Sequence, residues 1–236
     1  MLPKIDYALN EFTLTSGKKV LYRPLTKSDE KILLIAKESK ETSDIFRAMK
    51  QVVASAVIDP GFDVDDLPLF ELEWLFLHLR IQSIGDLVTL SYLDNEDGKE
   101  RQFAVSLRDI KLEWPSDTPS NKVVVTDDVT LTLRYPPASL YDNERFLRGK
   151  DATEITDEMM RESIVEVWSG DEVFEFKDAD RNEQLEFIDS LPALSCVGIQ
   201  KFLTKSPHIS HTIKYVNNNG TERTIPLRSL NDFFIL

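Results

Sequence analysis

Three features of the sequence predict an α+β fold made of internally duplicated helix-plus-β-hairpin units with antiparallel strands. Apolar residues recur at helical spacing between positions 67 and 85, they alternate with polar ones on either side of tight turns at Gly98 and Gly220, and the order helix then hairpin occurs twice. With 236 residues, 42% of them hydrophobic, the chain can bury a sizeable core as one domain or as two small ones.

The elements follow in order. Phe12, Leu14, Val20 and Tyr22 surround a Ser-Gly-Lys turn and predict a hairpin closed at Gly17, which Arg23-Pro24-Leu25 ends. Thr26 or Ser28 is placed to cap a helix running to about residue 38, with Ile32, Ile35 and Ala36 at helical spacing. A second helix, from 43 or 44 to about 58, carries Ile45, Met49, Val52, Val53 and Ala56 on one side. Asp65 or Asp66 stands just ahead of Leu67-Pro68, an acidic cap and first-turn proline that favour a helix start. Leu72, Leu75, Phe76 and Leu79 then give this helix a buried stripe, and Gly85 ends it. A hairpin follows, with Phe103, Val105 and Leu107 alternating in its second strand.

The order then repeats. Strands are predicted around Asp127-Asp128, helices over 140–147 and 157–168, an acidic stretch over 178–186, a helix from Leu191-Pro192 to about 203, and a hairpin over 209–227. Arg134-Tyr135-Pro136 occupies the place of Tyr22-Arg23-Pro24. The two long hairpins agree in detail: Tyr92 matches Tyr215, Gly98 matches Gly220, Glu100-Arg101 matches Glu222-Arg223, and Phe103 and Val105 match Ile225 and Leu227. These matches predict a duplication, with a first α+β unit at 1–116, a second at 117–236, and a turn-rich joint holding Pro115, Ser116, Pro119 and Ser120.

Composition excludes several classes of function. A formal net charge of −13 repels nucleic-acid phosphates and anionic lipid, so neither nucleic acid nor membrane is an expected partner. No run approaches the ~18 apolar residues that span a bilayer, and the start MLPKIDYALNEF lacks the apolar stretch of a signal peptide. Cys196 is the single cysteine, so no internal disulfide forms and a cytosolic setting is expected.

Chemistry-bearing patterns are sparse. His208 and His211, with Glu222 across the hairpin, are candidate metal ligands and carry the alternative reading of a metal-dependent or small-ligand enzyme. In a strand, however, residues three apart point to opposite faces, which would make the imidazoles diverge. Asp59, Asp63, Asp65 and Asp66 do not follow the calcium-loop spacing, Ser195-Cys196 lies in no nucleophile-elbow pattern, and the eight glycines are dispersed rather than grouped in a phosphate loop. No catalytic residue, metal or cofactor is therefore expected. Aromatic load stands out instead: Phe70, Trp74 and Phe76 in one helix, and Phe233-Phe234-Ile235-Leu236 at the end. Phe70, Trp74, Phe233, Phe234 and Leu236 are the candidate partner interface.

The segment DDLPLFELEWLFLHLRIQSIG at 65–85 resembles the Leu-Pro-led helix of the T-even-like phage baseplate hub assembly family, and the Phe-Phe ending at 227–234 is similar to that family's. The opening Lys-Ile-Asp, the Tyr-Arg-Pro segment and the Gly-Asp-Glu-Val stretch near Trp168 fit the same pattern, so the likeness covers nearly the whole chain. The resemblance implies an assembly factor or minor structural protein of the tail baseplate hub, acting by protein binding without catalysis. It also implies baseplate hub or tail tape-measure proteins as partners. The implied location is the host cytoplasm during tail assembly, or the virion baseplate itself.

Overall fold

A computed structural model describes residues 3, 5–39, 41–142, 146, 152–230 and 232. Among these the chain is α+β, with six α-helices and eleven strands paired in antiparallel sheets. Two compact units are present: one holds Met1–Val64, Phe70–Glu113 and His208–Leu236, the other Asp65–Leu69 and Trp114–Pro207. The C-terminal hairpin thus belongs to the first unit by contact. Contact and descent are different properties, so this division leaves the expected duplication at 1–116 and 117–236 as a separate question.

In the first unit, β1 (Asn10–Thr13) and β2 (Lys19–Tyr22) form the hairpin expected around Gly17, which takes φ 84°. Helix α1 (Lys27–Ser39) starts at a reciprocal cap: the Asp29 carboxylate accepts from the Thr26 N–H at 2.7 Å, and the Asp29 N–H reaches the Thr26 hydroxyl at 3.4 Å. Helix α2 (Thr42–Ala56) buries Met49, Val52, Val53 and Ala56 on one face.

Helix α3 (Leu69–Ser83) departs from the single stripe its periodicity suggested, being buried on nearly every side. Its two glutamates explain how that is tolerated. Glu71 accepts the Thr15 N–H and Glu73 accepts the Leu230 N–H, so each buried carboxylate clasps a distant segment of backbone.

Two hairpins complete this unit: β3 (Leu87–Asp94) with β4 (Lys99–Ser106), and β10 (His208–Val216) with β11 (Glu222–Leu227). The short strand β5 (Lys111–Glu113), not foreseen from the sequence, pairs with β10. The matched hairpins meet reciprocally. Arg101 donates to Asn218 of the other turn at 3.2 Å, and its counterpart Arg223 donates to Glu96, the counterpart of Asn218, at 3.0 Å. Tyr92 and Tyr215, also counterparts, meet edge to face at 6.4 Å. Under the sequence matching of the two hairpins these contacts are reciprocal. Asp94 lies near this contact, fully buried, and accepts from the Tyr215 hydroxyl at 2.6 Å, which holds its carboxyl below the usual range.

The second unit carries one four-stranded sheet in the order β6 (Lys122–Val124), β7 (Val129–Leu133), β8 (Ile164–Ser169), β9 (Glu172–Glu175). Its helices are α4 (Ala152–Ser163), α5 (Arg181–Ser190) and α6 (Ala193–Thr204). The core joins Leu131 and Leu133 of the sheet to Met160, Ile188, Ile199 and Phe202 of the helices, and Tyr135 stacks on Phe202 at 4.5 Å.

Two sequence expectations are corrected here, and a third is met in part. The helix expected over 157–168 stops at Ser163, and residues 164–169 are β8, because the β-branched Ile164, Val165 and Val167 suit a pleated strand and Val167 faces Leu131 across the ladder. The acidic stretch at 178–186 is largely helix α5: Asp180 is its N-cap and Glu183 stands in its first turn, and the Asp180 carboxylate accepts from the N–H groups of Asn182 and Glu183 at 2.8 and 3.1 Å. Of the helix expected over 140–147, residues 140–142 belong to a 3-10 turn at Ala138–Asp142 and Phe146 is helical, while positions 143–145 and 147 lie outside the described residues.

Candidate functional site

The sequence-derived candidates are scattered. On α3, Phe70 is only 4% exposed and forms part of the first unit's interior. Trp74, one turn on, is half-buried and packs edge-on against His78 at 4.5 Å, whose ring also meets Phe12 at 5.1 Å. Burial lowers the His78 pKa, so this imidazole serves as a neutral packing group. Phe233, Phe234 and Leu236 lie outside the described residues.

His208 and His211 both lie on β10 and separate as the strand requires. His208 stands opposite Glu113 of β5, with Nε2 4.0 Å from its carboxylate, whereas His211 faces Leu227 of β11. Glu222 pairs with Val216, five residues beyond His211, or roughly 17 Å along the strand. Among the described residues no group of three or more His, Cys, Asp or Glu side chains is placed to hold a metal ion.

The feature the sequence did not disclose is a groove in the second unit. A cavity of about 570 Å³ is lined by Val167, Val173, Phe174, Phe176, Ala179 and Phe187, with Glu175, Asp178 and Glu183 also on its wall. It arises from the sheet. Val123, Leu131, Val167 and Phe174 form one cross-strand row on the face that carries the core. Leu131 is fully buried, but Phe174, at the open end of the row on β9, remains 52% exposed. Its neighbour Val173 is 44% exposed. The hairpin that presents them turns at Gly170, where φ is 59°, a left-handed value that glycine adopts without strain.

A hydrogen-bonded network holds the groove's far wall. The buried Gln184 side chain donates to the carbonyls of Phe176 and Ala179 at 2.9 and 3.1 Å and accepts from Arg161 at 3.2 Å. Arg161 and Arg181 both pair with Glu158; burial would raise the Glu158 carboxyl, but the two guanidiniums hold it below its ordinary value. The segment after β9 is thereby tied to α4 and α5. Because Asp180 caps the helix that carries Glu183 and Phe187, Asp180→Ala is expected to cost about 1 kcal/mol of unfolding free energy, with Asp180→Asn nearly neutral, as read by urea denaturation.

Chemically, the groove offers apolar surface and carboxylates. Its lining holds no imidazole, thiol, hydroxyl or cationic side chain. Such a surface suits an apolar group flanked by positive charge. No described helix is long and apolar enough to cross a membrane. No curated protein and no solved structure matches the chain. The model of one family, described as T4 bacteriophage base plate protein, matches residues 5–235, and with nearly its whole length covered the chain belongs to that phage base plate family.

Proposed function

We propose that this base plate family member is an assembly factor or minor structural protein of the baseplate hub that works by binding other phage proteins and carries out no catalysis. The observation that carries this reading is the groove beside β9, where Val173 and Phe174 stay exposed next to Phe176 and Phe187. Burying a phenylalanine or valine side chain is worth ~1.5–3 kcal/mol, which a partner recovers on docking. The expected partners are hub or tape-measure proteins. Binding takes place in the host cytoplasm during tail assembly, and the protein stays in the virion baseplate if it is structural. A net charge of −13 disfavours nucleic acid as the ligand.

Affinity purification from infected cells tests this reading, with tail intermediates and mature particles assayed for the same chain. Co-purification with base plate proteins is the expected result. Absence from every base plate intermediate would overturn it.

Phe233, Phe234 and Leu236 are proposed as further anchors, as is the half-buried Trp74 of α3, whereas Phe70, only 4% exposed, serves the interior. Deleting residues 233–236 is expected to leave cooperative thermal unfolding intact while reducing capture of base plate proteins. Loss of cooperative unfolding would assign those residues to the core instead. The proposed duplication draws support from the reciprocal contact of Arg101 with Asn218 and of Arg223 with Glu96.

A further inference from the structure

The free edge of β9 and the chemistry of its groove together specify what kind of chain can dock there. Among the described strands β9 pairs with β8 alone, so its outer row of backbone N–H and C=O groups faces no strand. Two other edges of this chain are guarded. Strand β11 carries Pro226, which has no N–H to offer, and β4 presents Lys99, Glu100 and Arg101. Strand β9 has neither proline nor lysine. Its four residues, Glu172, Val173, Phe174 and Glu175, are all exposed, with the two apolar ones in the middle.

The groove next to this edge narrows the choice. Its apolar wall calls for an apolar side chain to meet Phe174, Val167 and Phe187, and its ionisable members, Glu175, Asp178 and Glu183, are all acidic. Lys177, 3.9 Å from the Glu175 carboxylate, is mostly exposed and does not line the groove. A strand added to β9 would place alternate side chains on opposite faces of the sheet. One set would enter the groove, and the other would lie over Val173 and Trp168, which are paired on the opposite face. Lysine or arginine flanking the inserted apolar residue would meet the acidic rim, whereas an acidic segment would be repelled.

We propose that β9 and its groove accept an extended segment of another base plate protein, mixed apolar and basic in composition, as a fifth antiparallel or parallel strand of the β6–β7–β8–β9 sheet. This proposal rests on the protein-binding reading above and names the chemistry of the partner.

The probe is a short synthetic peptide of alternating valine and lysine, compared with one in which glutamate replaces lysine, each titrated into the full-length protein. Amide chemical shifts and hydrogen exchange are followed by NMR. The valine–lysine peptide is expected to shift the amides of residues 172–175 and to slow their exchange, while the glutamate peptide leaves them unchanged. The exposed rim permits a charge reversal without disturbing the core. The variant Glu175→Lys, Asp178→Lys, Glu183→Lys is expected to weaken the basic peptide by about tenfold or more and to bind the acidic one.

Phe174→Asp, also at an exposed position, is expected to abolish binding with unchanged thermal unfolding. Peptide-induced shifts elsewhere than β9, or none at all, would overturn the inference. So would a concentration-dependent dimer that Phe174→Asp abolishes, because the occupant would then be a second copy. If wild type and Phe174→Asp are recovered equally with base plate intermediates, the functional reading stands and strand addition at β9 falls. If neither is found on any intermediate, both fall.

Discussion

Arg23→Met is expected to lower the unfolding free energy by about 3–5 kcal/mol near neutral pH, the usual cost of stripping the partner from a buried charge. Arg23 lies in the Tyr-Arg-Pro segment between β2 and α1 and reaches the almost fully buried Asp29 carboxylate at 2.7 Å. Asp29 also accepts from Thr26 at 2.7 Å and from Ser55 of α2 at 3.0 Å, so one carboxylate ties together the hairpin exit, the start of α1 and the end of α2. Burial alone would raise its pKa, yet the guanidinium and the hydroxyl and amide donors hold it well below the ordinary value of 3.8.

The sign of the pH dependence follows from that lowered value. Stability from Asp29 is present above 3.8, the unfolded value, and is lost only as pH falls through the depressed folded value. In Arg23→Met, burial dominates and the carboxyl rises. The deficit is then largest near neutral pH and shrinks in acid, where Asp29 is protonated in folded and unfolded chains alike. Adding Asp29→Asn should restore part of the loss, because the double variant buries no charge. Urea denaturation at neutral and acidic pH reads all three chains. A small cost that does not vary with pH would mean that water already solvates the carboxylate. Arg134, in the corresponding Arg-Tyr-Pro segment, offers a control: it is largely exposed, and its carboxylate partners Asp66 and Glu162 both lie at 3.8 Å.

Glu73→Gln should have the opposite effect and stabilise the protein. Burial in α3 pushes the Glu73 carboxyl from 4.5 up to about 7; the Leu230 N–H, at 3.1 Å, pulls it down and the nearby Asp232 charge pushes it up. For a raised carboxyl, the favourable contribution is complete below the unfolded value of 4.5 and is lost as pH rises through the folded value of about 7. A glutamine escapes that loss while its side-chain oxygen still accepts the Leu230 N–H. The variant is expected to match the wild type in acid and to exceed it above pH 7 by up to about 3 kcal/mol. Denaturation curves across this range provide the check, with parallel pH profiles for the two chains as the adverse outcome.

Much of the fold was legible because its signals are local. The turns at Gly17, Gly98 and Gly220, the alternation of Phe103 and Val105, and the spacing of Leu72, Leu75, Phe76 and Leu79 each lie within one element, and each element formed where these signals put it. Misreadings occurred where local signals compete. Ile164 to Trp168 continues a helical spacing from α4, but its β-branched residues answer to the facing strand β7, which the local window does not contain. The Asp180 to Glu183 cap was present as an acidic stretch, and reading it as a capping pair would have revealed α5.

The sequence by itself determined the α+β class, the placement of the hairpins and most helices, the acidic character and the family. Only the tertiary structure decided which apolar residues stay exposed and which carboxylates are buried. Phe70 and Phe174 are both aromatic residues within regular elements, yet one is 4% exposed and the other 52%. The difference lies in what covers them: α3 is enclosed on nearly every side, whereas β9 is the last strand of its sheet among the described residues. Likewise, Glu73 and Leu230 are 157 positions apart, and no local window joins them. Periodicity records how neighbours along the chain prefer to turn, but burial, edge exposure and pKa are set by groups that only folding brings together.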